Sequence, residues 1–287
     1  MRISFVVIII SLAIFFCVIG VPRLVAQQPP QRIISLAPSI TEELYLLGLG
    51  DRVVGVTIYC EYPPEVKKKE KIGTLLSPNI EKIVTLNPDL ILATMDGNRP
   101  EVLSRLSSLG LRVFTFEPAK NFQDISRDFL LLGKLVSKEK EAGKLLSKAR
   151  GEIEEIKEKV RGLPKVKVFW EVGAKPLVSV AKGTFADEII SLSGGINIAH
   201  GAGSRYPRYS LEEVLQQNPE VIILVTMGDV TEQEIKIWKE FKDLKAVKDN
   251  RIYVVDADLV CRATPARFQE AVREIASLLH PEILGRK

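Results

Sequence analysis

Histidine and cysteine are scarce. The 287-residue chain has two histidines, His200 and His280, and three cysteines, one of which, Cys17, lies in an apolar N-terminal run. Zinc sites built from such side chains are therefore not expected. Only Cys60 and Cys261 remain beyond that run, enough for one bridge at most, so the chain is no disulfide scaffold. The sequence contains no G-x-x-x-x-G-K-[ST], no G-x-G-x-x-G after a strand, no H-E-x-x-H, no C-x-x-C and no G-x-S-x-G. These absences remove the usual signatures of nucleotide binding, zinc hydrolysis, dithiol chemistry and serine hydrolysis. Charge of one sign is not in excess either: 40 basic against 36 acidic residues, a net +4, leave no electrostatic footprint for nucleic acid.

What is present begins with "MRISFVVIIISLAIFFCVIGVPRLVAQQ". Its basic start, its unbroken apolar run and its possible cleavage point after Ala26 predict a secretory signal peptide or an N-terminal anchor over residues 1–26. Export to a periplasmic or extracytoplasmic compartment follows. The remainder alternates short apolar β runs with amphipathic segments, the pattern of α/β layers with helices covering a mostly parallel sheet. "RIISLA", "RVVGVT", "DLILAT" and "RVFTFE" read as strands of one lobe over residues 27–120. Its first helix is expected to start at Ser39, with Glu42 completing a capping box. "KVKVFWEVG", "EVIILVT" and "RIYVVDA" read as strands of a second lobe over residues 163–287, with Thr184 capping one helix and Pro265 opening another. Between them, residues 121–162 carry apolar residues at helical spacing and no proline. They predict a long connecting helix, single or broken near Ser137, acting as a stiff strut within a monomer.

The two lobes share a sentence. "IEKIVTLNPDLILATMDG" from Ile80 matches "LEEVLQQNPEVIILVTMGD" from Leu211, so that Glu81 falls on Glu212 and Asn87-Pro88-Asp89 on Asn218-Pro219-Glu220. The acid in the first turn suits the helix dipole, and the match places one such acid on each lobe.

Aromatic, basic and thiol residues gather in the segments that follow strands, where open α/β sheets bind ligands. Tyr59, Cys60 and Tyr62 follow the second strand, and Met95 and Arg99 follow "ILAT". His200, Arg205, Tyr206, Arg208 and Tyr209 occupy "NIAHGAGSRYPRYS", and Cys261 and Arg262 follow "RIYVVDA". Tyrosines suit a large flat ligand and arginines its carboxylate, amide or phosphate edges. Tyr62 reads equally as a packed turn residue, His200 as a surface-loop histidine, and Cys60 and Cys261 as thiols that fill space.

Taken together, "RIISLAPSITEELYLLGLGDRVVGVT", "CEYPPEV", "NIEKIVTLNPDLILATMDGN", "KGTFADEIISLSGGINI", "SLEEVLQQNPEVIIL" and "CRATPARFQEAV" resemble the solute-binding proteins of ABC importers for vitamin B12 and ferric chelates, the cobalamin-binding branch above all. The resemblance covers nearly the whole chain after the N-terminal segment. It implies two Rossmann-like α/β lobes bridged by a single long α-helix, and binding without catalysis. It implies capture of a corrinoid, with a ferric siderophore or haem as the alternative cargo and a chelate-modifying enzyme as the more distant one, and no resident cofactor or protein-bound metal. It places Tyr59 and Tyr206 in an aromatic pocket with Arg262 at the cleft edge, among ligand-binding candidates Tyr59, Cys60, Met95, Arg205, Tyr206 and Arg262. It assigns Glu81 and Glu212 to docking on the transmembrane permease dimer that works with ATPase subunits. The chain departs from those relatives at Leu75 and Thr94, where they carry aromatics, and at Ser193, where they carry cysteine.

Overall fold

The computed structural model describes residues 28–226 and 232–284. The expected signal or anchor over residues 1–26 lies outside them, and no helix among the described residues is long and apolar enough to cross a membrane.

The N-terminal sheet contains β1 (Ile33–Ser35), β2 (Val53–Val56), β3 (Glu70–Lys71), β4 (Leu90–Thr94) and β5 (Val113–Phe116) in the order β3-β2-β1-β4-β5. Every pairing in it is parallel. Helices α1 (Pro38–Leu46), α2 (Ile80–Thr85) and α3 (Pro100–Ser108) connect these strands. Both faces are covered, which is why the strands read as continuous apolar runs. Successive residues alternate between two cores: Leu90 and Leu92 join one with Ile33 and Val53, while Ile91 and Ala93 join the other with Ile34 and Leu36.

The second lobe repeats this logic. Its sheet has the order β10-β9-β6-β7, built from β6 (Val166–Ala174), β7 (Leu177–Ser179), β9 (Val221–Thr226) and β10 (Ile252–Asp256), with β8 (Gly195–Asn197) pairing the start of β6. Only β7 runs antiparallel, returning along β6 through a tight turn. Val221, Ile223 and Val225 face one core, and Ile222 and Leu224 the other.

The connecting segment is not one helix over residues 121–162. α4 (Phe122–Leu135) ends, Ser137 takes a left-handed φ of 58°, and α5 (Glu139–Val160) begins. Gly133 permits the tight fold-back, since a Cβ there would stand 2.7 Å from the Ala142 Cβ. α5 is the long bridge: Ala142 and Leu146 are buried in the N-terminal core, and Ile153, Ile156 and Val160 in the C-terminal one, while α4 adds Ile125 to the second core and Phe129 and Leu132 to the first. Its 22 residues span about 33 Å at helical rise.

The second lobe's helices are α6 (Phe185–Leu192), α7 (Leu211–Gln217), α8 (Glu232–Lys239), α9 (Lys245–Lys248), α10 (Ala257–Val260), α11 (Pro265–Leu279) and α12 (Pro281–Leu284). α11 packs along α5, where Arg273 reaches Glu152 at 2.8 Å. Thr184 caps α6 and Pro265 opens α11, as the sequence predicts.

The start of α1 differs from expectation. Its N-cap is Ala37, with no side-chain cap, and Pro38 occupies the first turn. A proline suits that position because its missing N–H is not needed there. The earlier start moves Glu42 out of the first turn into the helix body, where it is 3% exposed on its side chain.

The repeated stretch is a repeated device. α2 and α7 are capped by Asn79 and Ser210, whose side chains accept from Lys82 N and Glu213 N, and Glu213 completes a capping box. Asn87 and Asn218 then take left-handed φ values of 45° and 47° to turn the chain into β4 and β9. Asp89 accepts from the N–H groups of Gln31 and Arg32, and Glu220 from that of Lys167, so each acid pins the adjacent strand of its own sheet.

Candidate ligand-binding site

A cavity of about 440 Å³ opens between the lobes at the carboxyl ends of the strands. Its N-terminal wall is the β1–α1 turn with Ser39, Tyr59 and Glu61 after β2, Leu75 after β3, and Thr94 and Asp96 after β4. Its opposite wall is the segment after β10, with Asp258, Cys261 and Arg262. Five segments that follow strands converge here, because parallel strands end on one edge of each sheet.

Asn98, 4% exposed, holds the N-terminal loops together. Its Nδ2 donates to the carbonyls of Leu36 (3.2 Å) and Leu75 (3.0 Å), and its Oδ1 accepts from Thr94 N (2.9 Å). Asn197 does the equivalent in the other lobe, donating to the Val180 carbonyl and to Asp187, each at 2.8 Å. Asp187 also holds the Nδ1 of His200 at 2.9 Å, so that half-exposed imidazole is oriented by a buried carboxylate.

Of the six ligand-binding candidates, Tyr59 and Arg262 line this cavity, one from each lobe. Tyr59 is 52% exposed, a ring held up for contact rather than packed. Arg262 is tied to Asp258 at 2.7 Å and lies 3.5 Å from Glu42, with its Nη1 enclosed and without a hydrogen bond. Met95 stands exposed between the lining residues Thr94 and Asp96. Arg205 reaches from the second lobe into an adjoining depression of about 630 Å³ beside Phe114 and Phe116. Burial raises the Asp96 carboxyl, and Arg205 opposes this from across the cleft. The Arg205 guanidinium also lies 5.7 Å from the Tyr206 ring centre. Tyr206 itself is exposed and does not line the 440 Å³ cavity.

Cys60 does not face the cleft. The turn that brings Cys60 N to the Thr57 carbonyl points Sγ into the core, 3.2 Å from the hydroxyls of both Thr41 and Thr57. It is fully buried, and no disulfide joins it to Cys261. Enclosure, together with Asp258 and Asp256, pushes the Cys261 thiol up to about 11, leaving no thiolate at neutral pH. Among the described residues no cluster of three or more His, Cys, Asp or Glu could hold a metal ion.

The sequence reading missed the ion cluster that joins the lobes behind Arg262. Glu42 on α1 accepts from Arg267 Nε at 2.9 Å, while Arg267 stacks on Tyr62 with its guanidinium 4.3 Å from the ring centre. Burial pushes the Glu42 carboxyl up, and the two guanidinium groups offset this only in part. Tyr62 is thus a contact of the lobe junction. Asp258 was legible as the partner of Arg262, four residues on; Glu42 was not.

Leu75 and Thr94 line the cavity, so two aliphatic or hydroxyl side chains stand in the wall where aromatics were noted in relatives. Ser193 is elsewhere: it is buried, and its hydroxyl donates to the Val272 carbonyl. Glu81 and Glu212 are both exposed, each the second residue of its helix.

Comparison with known proteins agrees with this architecture. The chain is 32% identical to the vitamin B12-binding protein of Vibrio cholerae over 259 residues, which is 90% of this chain and 92% of that one. It is 34% identical to an uncharacterized ABC transporter substrate-binding lipoprotein of Bacillus subtilis, covering 89% and 82% of the two chains. The crystal structure of the periplasmic vitamin B12 binding protein of Vibrio cholerae superposes with a TM-score of 0.74 at 32% identity, over 90% of this chain and 99% of that one. The periplasmic binding protein profile matches residues 33–259, and the chain belongs to that family of substrate-binding proteins, which serve transport and not catalysis.

Proposed function

We propose that this protein captures a corrinoid in the cleft between its lobes and hands it to an ABC importer. The observation that carries the reading is the pairing of Tyr59 and Arg262 across one cavity at the strand ends. It stands beside 32% identity to a vitamin B12-binding protein over nearly the whole chain. A cavity of about 440 Å³ holds an edge of a large macrocycle, and the adjoining depression with Arg205 gives the rest room to lie along the cleft. The exposed ring of Tyr59 offers an apolar face, and Arg262, lining the opposite wall, a positive charge for an amide or phosphate edge.

The cargo is the only metal-bearing group in this reading; the protein itself holds no resident cofactor. It works as a monomer, exported and either cleaved or retained by residues 1–26. Glu81 and Glu212, one exposed acid on each lobe, seat the loaded protein on the two transmembrane subunits of the permease, whose ATPase subunits drive uptake. Charge pairs of that kind set orientation and association rate and weaken with salt.

A second reading, a ferric siderophore or haem as cargo, draws on Leu75 and Thr94, which leave this wall of the cavity less aromatic. Parallel visible-absorbance titrations with cyanocobalamin, a ferric siderophore and haemin separate the two. Saturable one-to-one binding of cyanocobalamin, recovered unchanged, is expected. Preference for the siderophore or haemin would replace the corrinoid reading, and turnover of the bound cargo would overturn both.

A further inference from the structure

Glu171 has no part in the cleft. It lies in β6 on the face that packs against α8, and is 4% exposed. Its Oε2 accepts from the Trp238 indole N–H at 2.8 Å. Among the described residues no hydrogen bond reaches Oε1 and no lysine or arginine pairs with the carboxyl. A second cavity, of about 190 Å³, is lined by Glu171 together with the apolar Ala174, Leu177, Leu211, Ile237 and Trp238 and the charged Lys175 and Glu234. With Oε2 on the indole, Oε1 is the carboxyl oxygen left for a group in this cavity, which Glu171 itself lines. A glutamine would cap the indole equally well without a charge, so the acid calls for a partner that the described residues do not supply.

We propose that this cavity binds a primary alkylammonium ion, its nitrogen on Glu171 Oε1 and its short apolar stem against Leu177, Leu211, Ile237 and Trp238. Three observations select that chemistry. A divalent cation of the calcium class needs six to eight oxygen ligands, and among the described residues the lining presents only two carboxylates, without a third ligand of the kind that would make a metal cluster. A guanidinium engages a carboxylate through both oxygens, and here Oε2 is taken by the indole. An ammonium is a compact point charge that needs one oxygen. The volume, equal to about six waters, suits a stem of a few carbons. The aromatic wall adds attraction for a cation.

Burial is the main cause that raises Glu171 to about 7; the indole N–H opposes it and Glu234 adds to it. The charged groups facing the cavity are Glu234 from α8 and Lys175 from the β6–β7 turn, while α7 contributes only Leu211. Binding should therefore strengthen as pH rises to about 7, with about tenfold in affinity lost per unit of pH below it.

The test uses the full chain and its two tryptophans, whose indole N–H groups are the side-chain NMR probes, with Trp238 the one on Glu171. Titration with n-butylammonium chloride at about pH 8 should move one of them saturably. n-Butanol and sodium chloride at matched concentration should not move it, and at about pH 6 the midpoint should rise about tenfold. Glu171→Gln should abolish the saturable shift. Ile237→Phe, which narrows the cavity and leaves the carboxyl in place, should do the same, so the inference stays testable if one variant folds poorly. A non-saturable shift, an equal response to n-butanol, or wild-type binding by either folded variant would overturn it. Corrinoid binding is unaffected by any of these outcomes, because this cavity and the cleft share no lining residue.

Discussion

Glu42 is expected to hold the two lobes together, and its removal should be costly. The carboxylate lies 2.9 Å from Arg267 Nε and 3.5 Å from Arg262 Nη1, with side-chain exposures of 3%, 16% and 10%. At an effective dielectric constant near 20, two unit charges 2.9 Å apart attract by about 6 kcal/mol. Desolvation of both partners cancels much of that, which is why the carboxyl is pushed up rather than down. Truncation is different, because it leaves the buried guanidinium without its partner, at about 3–5 kcal/mol. Arg262 keeps Asp258 and Arg267 keeps Glu270 and the Tyr62 ring, so the low end applies, about 3 kcal/mol for Glu42→Ala. Urea unfolding of Glu42→Ala, Arg267→Ala and the double variant gives the cycle, with a coupling energy expected near 2 kcal/mol. Glu42→Leu with Arg267→Met should recover most of the loss by replacing the pair with apolar side chains. A loss below about 0.5 kcal/mol for Glu42→Ala, the range of an ordinary surface substitution, would refute the reasoning.

Three further outcomes follow from the same geometry. Tyr59→Ala should weaken cargo binding by about 1–3 kcal/mol, measured by absorbance titration; Tyr206→Ala should weaken it less, since that ring stands outside the 440 Å³ cavity, and the reverse order would move the site toward the second lobe. Glu81→Ala with Glu212→Ala should leave cargo affinity unchanged and cost no more stability than the ~0.3–1 kcal/mol each acid gains from its helix dipole, while abolishing uptake through the cognate importer; normal transport would remove both acids from docking. The folded protein holds the Glu171 proton up to about pH 7, against 4.5 for an ordinary carboxyl, so this group favours the folded state most below pH 4.5 and loses that contribution as pH rises through 7. The loss amounts to about 3 kcal/mol, and Glu42 and Glu43 act in the same direction. Urea unfolding at about pH 5 and about pH 8 should therefore show a larger decline for the wild type than for Glu171→Gln, and equal declines would contradict it.

The central strands β1, β4, β6 and β9 were legible because burial on both faces writes an apolar run into the sequence, whereas the two-residue β3 and the short β7 and β8 carry no such run. Helix starts were legible at Thr184, and at Pro265 behind the capping Thr264, and not at Pro38, where the N-cap Ala37 has no side chain to cap with. The fold-back before α5 carried a weak signal, since Ser137 is an unusual residue for a left-handed φ and Gly133 is required only by what packs against it. The cavity loops could be named from their place after strands, but side-chain direction could not. Tyr59 and Cys60 are neighbours, and a turn sends one into the cleft and the other into the core. Glu42 was beyond reach for a different reason, as its partner Arg267 lies 225 residues away and no local pattern records the pairing.

The repeated stretch separates two kinds of conserved chemistry within one chain. Asp89 and Glu220 match each other in sequence, and each accepts from backbone N–H groups of the neighbouring strand, so sheet assembly is enough to explain them. Asn87 and Asn218 match because both turn the chain through a left-handed φ into a buried strand. Glu213 serves its own helix through Ser210. Glu81 and Glu212 match as well, yet both side chains are exposed and neither forms an ion pair or side-chain hydrogen bond among the described residues. The helix dipole rewards them by about 0.3–1 kcal/mol, but an acid anywhere in the first turn would gain as much. α5, with one end in each core, fixes the spacing of the lobes that carry them. Two acids on lobes joined by one helix buried in both cores present a two-point surface, which a partner with two related subunits can read and a single small ligand cannot.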